Sequence, residues 1–146
     1  MLLSKSCIYG IRSVLFLALN NDRRFISIRE ISKELGISFH YLTKILQTLN
    51  HADILESIKG PKGGVSFNTP PEKLTVYDIL CAIDGEDVFE ECVLVLPGCS
   101  NENPCSLHEM WHVTKSYLEK GLKDQSIKEM AQKIKEKKIR LYNDKN

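Results

Sequence analysis

Over residues 6–20 the apolar side chains Ile8, Ile11, Val14, Leu15, Leu17, Ala18 and Leu19 recur at helical spacing, which predicts a helix with a wide buried face. A polar turn at 21–24 and a short extended piece at Phe25 and Ile26 follow. Ser27-Ile28-Arg29-Glu30 has the form of a capping box, with the serine hydroxyl accepting from the glutamate amide while the glutamate reaches back. The helix it opens turns Ile28, Ile31 and Leu35 inward and stops at Gly36. Gly36-Ile37-Ser38 predicts a tight turn with Ser38 as a fresh N-cap, then a second helix with Leu42, Ile45, Leu46 and Leu49 inward. Two short helices joined by a glycine-containing turn of this length form a helix-turn-helix.

Past residue 53 the period shortens. Residues 54–58 read as a strand, 59–64 as a turn and 65–68 as the returning strand, so a β-hairpin wing follows the helix-turn-helix directly. Its tip carries Lys59 and Lys62, with Gly60, Gly63 and Gly64 allowing the backbone to approach a phosphate. After Thr69-Pro70-Pro71, Thr75 to Asp78 opens another helix through Ile79, Leu80 and Ile83 to Gly85. Residues 86–106 show no period and read as a loop. Leu107, Met110, Trp111, Thr114, Tyr117, Leu118 and Leu122 mark a longer helix. Ser126 and Glu129 then cap a last one, which runs into a lysine-rich tail expected to fray. The predicted fold is mainly α. A winged helix-turn-helix occupies 1–85, a cysteine-bearing loop 86–106, and a long helix with a C-terminal helix 107–146.

Composition changes the picture little: 146 residues, 42% hydrophobic and 27% charged, describe one globular domain and exclude a disordered chain. Charge changes it more. The net charge of +1 argues against a nucleic-acid binder, but it is sorted along the chain. Residues 1–68 carry 9 basic and 5 acidic side chains, 69–114 carry 1 and 9, and 115–146 carry 10 and 5. The basic first part is the one with the helix-turn-helix, and the acidic Glu86 to Glu91 stretch is expected to face away from DNA. On the second helix of the motif, Ser38, Phe39, His40, Tyr41, Thr43, Lys44 and Gln47 are left once the inward positions are removed. Such groups at the front of a helix reach base edges and phosphates in a major groove. Arg29 and Lys33 are placed to touch the backbone. The alternative is a solvated helix face in a motif used for protein contacts.

No secretory signal stands out, and the apolar run at 14–19 is too short to span a membrane, so a cytoplasmic chain with reduced thiols is expected. Its cysteines number 5, an odd count that disfavours a fully paired disulfide framework. Cys7 and Cys81 sit among apolar helical neighbours and read as core. Cys92, Cys99 and Cys105, with His108 close behind, can complete a four-ligand site. Zinc sites favour closer pairs such as Cys-x2-Cys, whereas a longer wrapping loop suits an iron–sulfur cluster. A thiol pair or free cysteines in a flexible loop is the remaining reading. His112 lies one turn beyond His108 and reads as a surface residue or a partner of the site; His51 reads as a polar turn residue. No nucleophile–base pairing or phosphate-cradling helix start points to an enzyme.

Tyr9-Gly10, the run from Ile37 to Leu42, the wing from Gly60 to Val65, and Cys92, Cys99 and Cys105 together resemble a family of bacterial winged-helix regulators. It includes the iron–sulfur cluster assembly regulator, the nitric-oxide-sensitive repressor and the cysteine-metabolism repressor. The resemblance covers nearly the whole chain. It implies a homodimer joined by the long helix at about 107–123, a roughly palindromic double-stranded DNA operator, and control of DNA binding by cluster state, redox state or nitric oxide. It also implies His108 as the fourth ligand, since the assembly regulator has a histidine three residues after its last cysteine. Other members draw a carboxylate from the partner's first helix; Ile8 stands there and cannot ligate, which leaves neighbouring Cys7 as second choice. His108 favours a 2Fe–2S cluster over 4Fe–4S, although the gap between Cys92 and Cys99 is one residue longer than usual. Two rival functions remain: a cluster-free regulator sensing through thiol oxidation, and an iron–sulfur carrier whose winged helix makes only protein contacts.

Overall fold

The computed structural model describes residues 3–137 and 141. The elements run α1 (Lys5–Leu19), α2 (Ile28–Leu35), α3 (Phe39–His51), β1 (Leu55–Ile58), β2 (Gly64–Phe67), α4 (Val76–Asp84), α5 (His108–Lys123) and α6 (Ile127–Lys137). This is the mainly helical winged helix-turn-helix that the apolar pattern predicts. The lysine-rich tail past residue 137 lies, save for Leu141, outside the described residues.

The first helix is the hub. Ser4 caps it, its hydroxyl accepting from the Cys7 amide at 3.0 Å, and the Asp84 carboxylate at the end of α4 accepts the Ser4 amide at 2.9 Å. Its run from Ser13 to Leu17 is buried on every side, because α3, α4 and α6 all pack against it. Gly10 keeps one crossing close: a Cβ there would run into Ile83, with Ile45 and Ile79 at ordinary contact distance. A second, smaller cluster gathers Cys7, Leu80 and Phe89.

Two expected caps differ. Ser27 accepts from the Glu30 amide at 3.2 Å, but the Glu30 carboxylate binds Arg23 at 2.5 and 2.8 Å instead of reaching back. An ionic partner outbids a neutral amide for that carboxylate. Ser38 precedes α3 but its exposed hydroxyl makes no capping bond; only its carbonyl is engaged, by the Leu42 amide at 2.8 Å. The boxes at Thr75 and Asp78 and at Ser126 and Glu129 are both complete.

β1 and β2 pair antiparallel, Leu55 opposite Phe67 and Ile58 opposite Gly64, within a residue of the predicted limits. The extended piece before α2 has a specific use. Ile26 donates to the Val65 carbonyl at 3.1 Å and Val65 returns a bond to Ile26 at 2.9 Å, so the wing is stitched to the start of the helix-turn-helix. Gly64 permits this seam, because a Cβ there would strike the Ile26 carbonyl, and its φ is 153°.

The stretch read as featureless from 86 begins with a 3-10 turn over Glu86–Phe89 that buries Phe89, its ring stacked on Tyr77 at 5.5 Å. One turn is too short to leave a periodic trace. α5 has no buried residue within the protomer; Met110, Val113 and Tyr117 are 54, 64 and 82% exposed. α6 returns to the core: Ile127 and Ala131 are buried, the Ile127 amide donates to Leu74 at 2.7 Å, and the helix packs on α1. Among the described residues no helix is long and apolar enough to cross a membrane.

Two glycines separate conformation from contact. Gly36 ends α2 in the left-handed region with open space around it, and asparagine tolerates that region. Gly36→Asn is expected to cost under about 1 kcal/mol. Gly64→Asn must move backbone and is expected to cost roughly 2 kcal/mol or more. Urea unfolding midpoints of the two variants, at unchanged slope, check the order.

Candidate functional site

A cleft of about 410 Å³ opens between the start of α2, the exposed face of α3 and the wing. Of the residues expected to meet DNA, Arg29, Phe39, Thr43, Lys59, Gly60 and Gly63 line it. Lys62 stands with Lys59 and Gly60 around the wing tip. Ser38 and His40 are exposed at the front of α3 without lining the cleft, and the His40 ring meets Phe39 edge-on at 5.6 Å. Tyr41 and Lys44 lie elsewhere. The Tyr41 hydroxyl is 2.7 Å from that of Ser6, its ring is edge-on to Tyr9 at 5.8 Å, and Lys44 shares a separate hollow with Ser6, Tyr41 and Asp84. Lys33 is exposed but outside the cleft lining.

Asn50, Ser57 and Ile58 join the lining without having been expected there, and Gln47 does so as a leftover polar position of α3. The signal for Gln47 was the spacing of four along α3 from Phe39 through Thr43. The wing residues needed the hairpin's register, which the sequence does not reveal. Asn50 donates to the Ser57 hydroxyl at 3.5 Å, linking α3 to β1 across the cleft floor. No Asp or Glu lines the cleft, while Arg29 and Lys59 do, so the field at its mouth favours an anion. Arg29 also lies over the Phe39 ring, 5.2 Å from its centroid.

The second site lies in the loop before α5. The sulfurs of Cys92, Cys99 and Cys105 all fall within 4.8 Å of one another, and Cys92 and Cys105 are 3.5 Å apart. Tight turns bring them together: the Val95 amide donates to the Cys92 carbonyl at 2.8 Å and the Cys99 amide to the Leu96 carbonyl at 3.3 Å. Val95, with φ at 52°, and Gly98, with φ at 71°, are left-handed; the former is an unusual place for a β-branched residue. The amides of Leu96 and Leu94 point at the Cys92 sulfur and bring its thiol down to about 7, with Cys105 and Cys99 adding to the effect. Cys99 receives the Cys105 amide, which favours its thiolate, but burial and the two neighbouring sulfurs outweigh that and push its thiol up.

His108 opens α5 with Nδ1 3.3 Å from the Cys99 sulfur and Nε2 2.9 Å from Asn101 Oδ1. His112 stacks parallel on it at 6.4 Å. Three soft thiols, one imidazole and inward-aimed amides around a small hollow fit the ligand chemistry of an iron–sulfur cluster. Cys7 is not part of this group. It is fully buried on α1, and burial, then Asp84, pushes its thiol up to about 12. Cys81 is half-buried and its thiol is likewise raised by burial. All five cysteines are free thiols.

Comparison with known proteins identifies the family. Residues 3–133 match the Rrf2 family, described as iron-dependent transcriptional regulators. An HTH-type transcriptional regulator of Aquifex aeolicus is 33% identical over 132 residues, 89% of this chain and 91% of that protein. The HTH-type transcriptional regulator IscR of Aliivibrio salmonicida is 27% identical over 122 residues, 84% of this chain and 72% of that one. Among solved structures, T. potens IscR superposes with a TM-score of 0.76 at 21% identity, covering 94% of this chain and 91% of its own. CymR, the global cysteine regulator of B. subtilis, gives 0.75 at 23%, covering 89% and 95%. At these identities the two structures speak for the fold alone. The family match, which spans the winged helix and the cysteine loop together, makes this chain a member of the Rrf2 family of transcriptional regulators.

Proposed function

We propose that this chain is a cytoplasmic, homodimeric DNA-binding regulator whose operator affinity is set by an iron–sulfur cluster held by Cys92, Cys99, Cys105 and His108. The observation that carries the reading is the convergence of three sulfurs and the His108 ring on one small volume, in a chain that also carries a basic cleft. Of the two cluster types, 2Fe–2S suits an imidazole in the ligand set better than 4Fe–4S. His108 is preferred to Cys7 because its ring already faces Cys99, whereas Cys7 is buried in the core. When bound, the cluster supplies sensitivity to iron–sulfur status, redox state or nitric oxide.

The chain's own residues do the rest. Arg29, Lys59 and Lys62 neutralise phosphates, Gly60 and Gly63 bring wing backbone close to the duplex, and the front of α3, with Ser38, Phe39, His40 and Thr43, enters the major groove. Tyr41 ties α3 to α1, and exposed Lys44 beside it is free to reach a flanking phosphate. The exposed apolar face of α5 supports a dimer, and a two-fold protein suits a roughly palindromic operator. In this scheme 1–85 binds DNA, 86–106 senses and 107–146 joins the protomers and closes the core. Freeing the three thiolates and His108 loosens the loop against the partner's helix-turn-helix, and DNA affinity follows by population shift.

One observation favours a second reading. Cys92 and Cys105 are 3.5 Å apart, so without a cluster a two-electron oxidant such as a peroxide would join that pair as a disulfide, taking up the two electrons and two protons that the thiols give up. Two experiments bear on these readings. Anaerobically reconstituted protein is expected to be brown and iron-bearing, with Cys99→Ala losing the colour and His108→Ala holding it weakly. Colourless, iron-free wild-type protein sinks the cluster reading, and normal thiol-dependent regulation in His108→Ala favours the second. For DNA, Lys59→Ala and Lys62→Ala are each expected to weaken operator binding and flatten the slope of log K against log salt by about 1.8, one phosphate contact being lost in each half-site. Fluorescence anisotropy at several salt concentrations measures it, and salt-insensitive binding would contradict the phosphate role.

A further inference from the structure

The cleft-facing strip of α3 is unusual in what it offers a base pair. From its first turn onward the residues facing the cleft are Phe39, Thr43, Leu46, Gln47 and Asn50, and none is cationic. The single lysine of α3, Lys44, points to the hollow beside α1 and α4 instead. The commonest specific contact to guanine, a bidentate cation on O6 and N7, is therefore not available from this helix face. Thr43 gives its hydroxyl hydrogen to the Phe39 carbonyl at 2.7 Å, so it meets a base as an acceptor or with its methyl group. Gln47 is exposed and can pair bidentately with adenine.

Phe39 is the distinctive member. It is the first residue of the recognition helix, among the positions of this motif that meet base edges, and the residue stays 38% exposed in a chain with a well-filled core. It does not hang free: the Arg29 guanidinium lies over one face at 5.2 Å and His40 meets it edge-on at 5.6 Å. The two flanking groups brace the ring on one face and one edge and leave the residue partly exposed. A fixed, exposed apolar ring at the mouth of a cation-bearing cleft matches one feature of the major groove, the 5-methyl group of thymine.

We propose that Phe39 reads a thymine in each operator half-site through its 5-methyl group, with Arg29 acting as a positioning residue that stacks on the ring and reaches the neighbouring phosphate. The inference rests on the DNA-binding reading above and sharpens it to a base identity. The adjacent acceptor and amide positions, Thr43 and Gln47, extend the same preference to an A·T-containing step.

The test starts from the full-length, anaerobically prepared protein and a duplex selected by it from a random-sequence library. Each thymine of that duplex is then replaced singly by deoxyuridine, which removes only the methyl group, and affinity is read by anisotropy at fixed salt. One thymine per half-site is expected to weaken binding about fourfold on replacement, the effect of one apolar methyl contact. Phe39→Ala is expected to bind the parent duplex more weakly and to be indifferent to deoxyuridine there, while Phe39→Leu retains part of the sensitivity. Arg29→Gln should reduce both the salt slope and the deoxyuridine effect. Tight binding of the parent with equal affinity for every deoxyuridine duplex overturns the inference and leaves DNA binding standing. Enrichment of half-sites without thymine overturns it too. Failure to enrich or bind any duplex overturns the DNA-binding reading, and the inference with it.

Discussion

Two backbone hydrogen bonds between Ile26 and Val65 set the geometry on which the DNA-facing surface depends. Ile26 is the last residue before the cap of α2, and Val65 is the buried centre of β2. The seam therefore joins the two walls of the cleft at their common base. Without it, a two-stranded hairpin would be marginal on its own and free to swing about residues 53 and 69. With it, the wing is fixed to the start of the helix-turn-helix, and the Asn50–Ser57 bond adds a link from α3 to β1. Buried Leu55, Ile54 and Val65 anchor the hairpin to the core below, and α1 carries that core.

The sequence made much of this legible because local physics and tertiary packing agree in the DNA-binding part. Helical spacing located α1 to α4, and the alternation with its glycine-rich turn located the wing. Agreement failed where a residue answers to a distant partner. Glu30 has the right place for a capping box and is taken by Arg23. Gly64 reads as a glycine for phosphate approach, yet it is required by the protein's own Ile26 carbonyl. Tyr41 is a polar position on α3 by spacing, but α1 supplies a hydroxyl and an aromatic edge that draw it inward. The return of α6 onto α1 rests on long-range contacts through Leu74 and Ile127, which no local pattern encodes. The cysteine loop was legible in composition and not in shape. Spacing gave the ligand types, whereas left-handed Val95 and the amides aimed at Cys92 belong to turns that only the folded chain defines.

The near-neutral net charge takes its meaning from this layout. The cleft lining carries Arg29 and Lys59 and no carboxylate, and none of the acidic side chains between 69 and 114 enters it. Those carboxylates sit instead in the segment that leads into and surrounds the thiols. A basic surface and an acidic one cancel in the sum without cancelling in space, since screening limits each to about 8–10 Å at ordinary ionic strength. Whole-chain charge is therefore a poor guide to partners when a chain this small carries surfaces of opposite sign.

The cysteine loop is tied to the first turn of α5. That helix starts at His108, and Leu107 before it provides no side-chain cap. The loop supplies what the cap does not. The His108 amide donates to the Cys105 carbonyl at 3.1 Å, and the Trp111 indole reaches back to the Glu91 carbonyl at 2.9 Å, beside Cys92. Both ends of the cysteine loop are thus pinned to one helical turn, with His108 contributing its ring to the thiol group and its backbone to the helix. Cys92 is the thiol that nearby amides favour as a thiolate, whereas at Cys99 the Cys105 amide is outweighed by burial and the neighbouring sulfurs, which push its thiol up. The fold of the cysteine loop and the first turn of α5 are therefore tied together through the His108 and Trp111 hydrogen bonds. The apolar face of α5 that carries Met110, Val113 and Tyr117 begins within that same turn. The cysteine loop and the exposed apolar face of α5 are thus held by one and the same helix start.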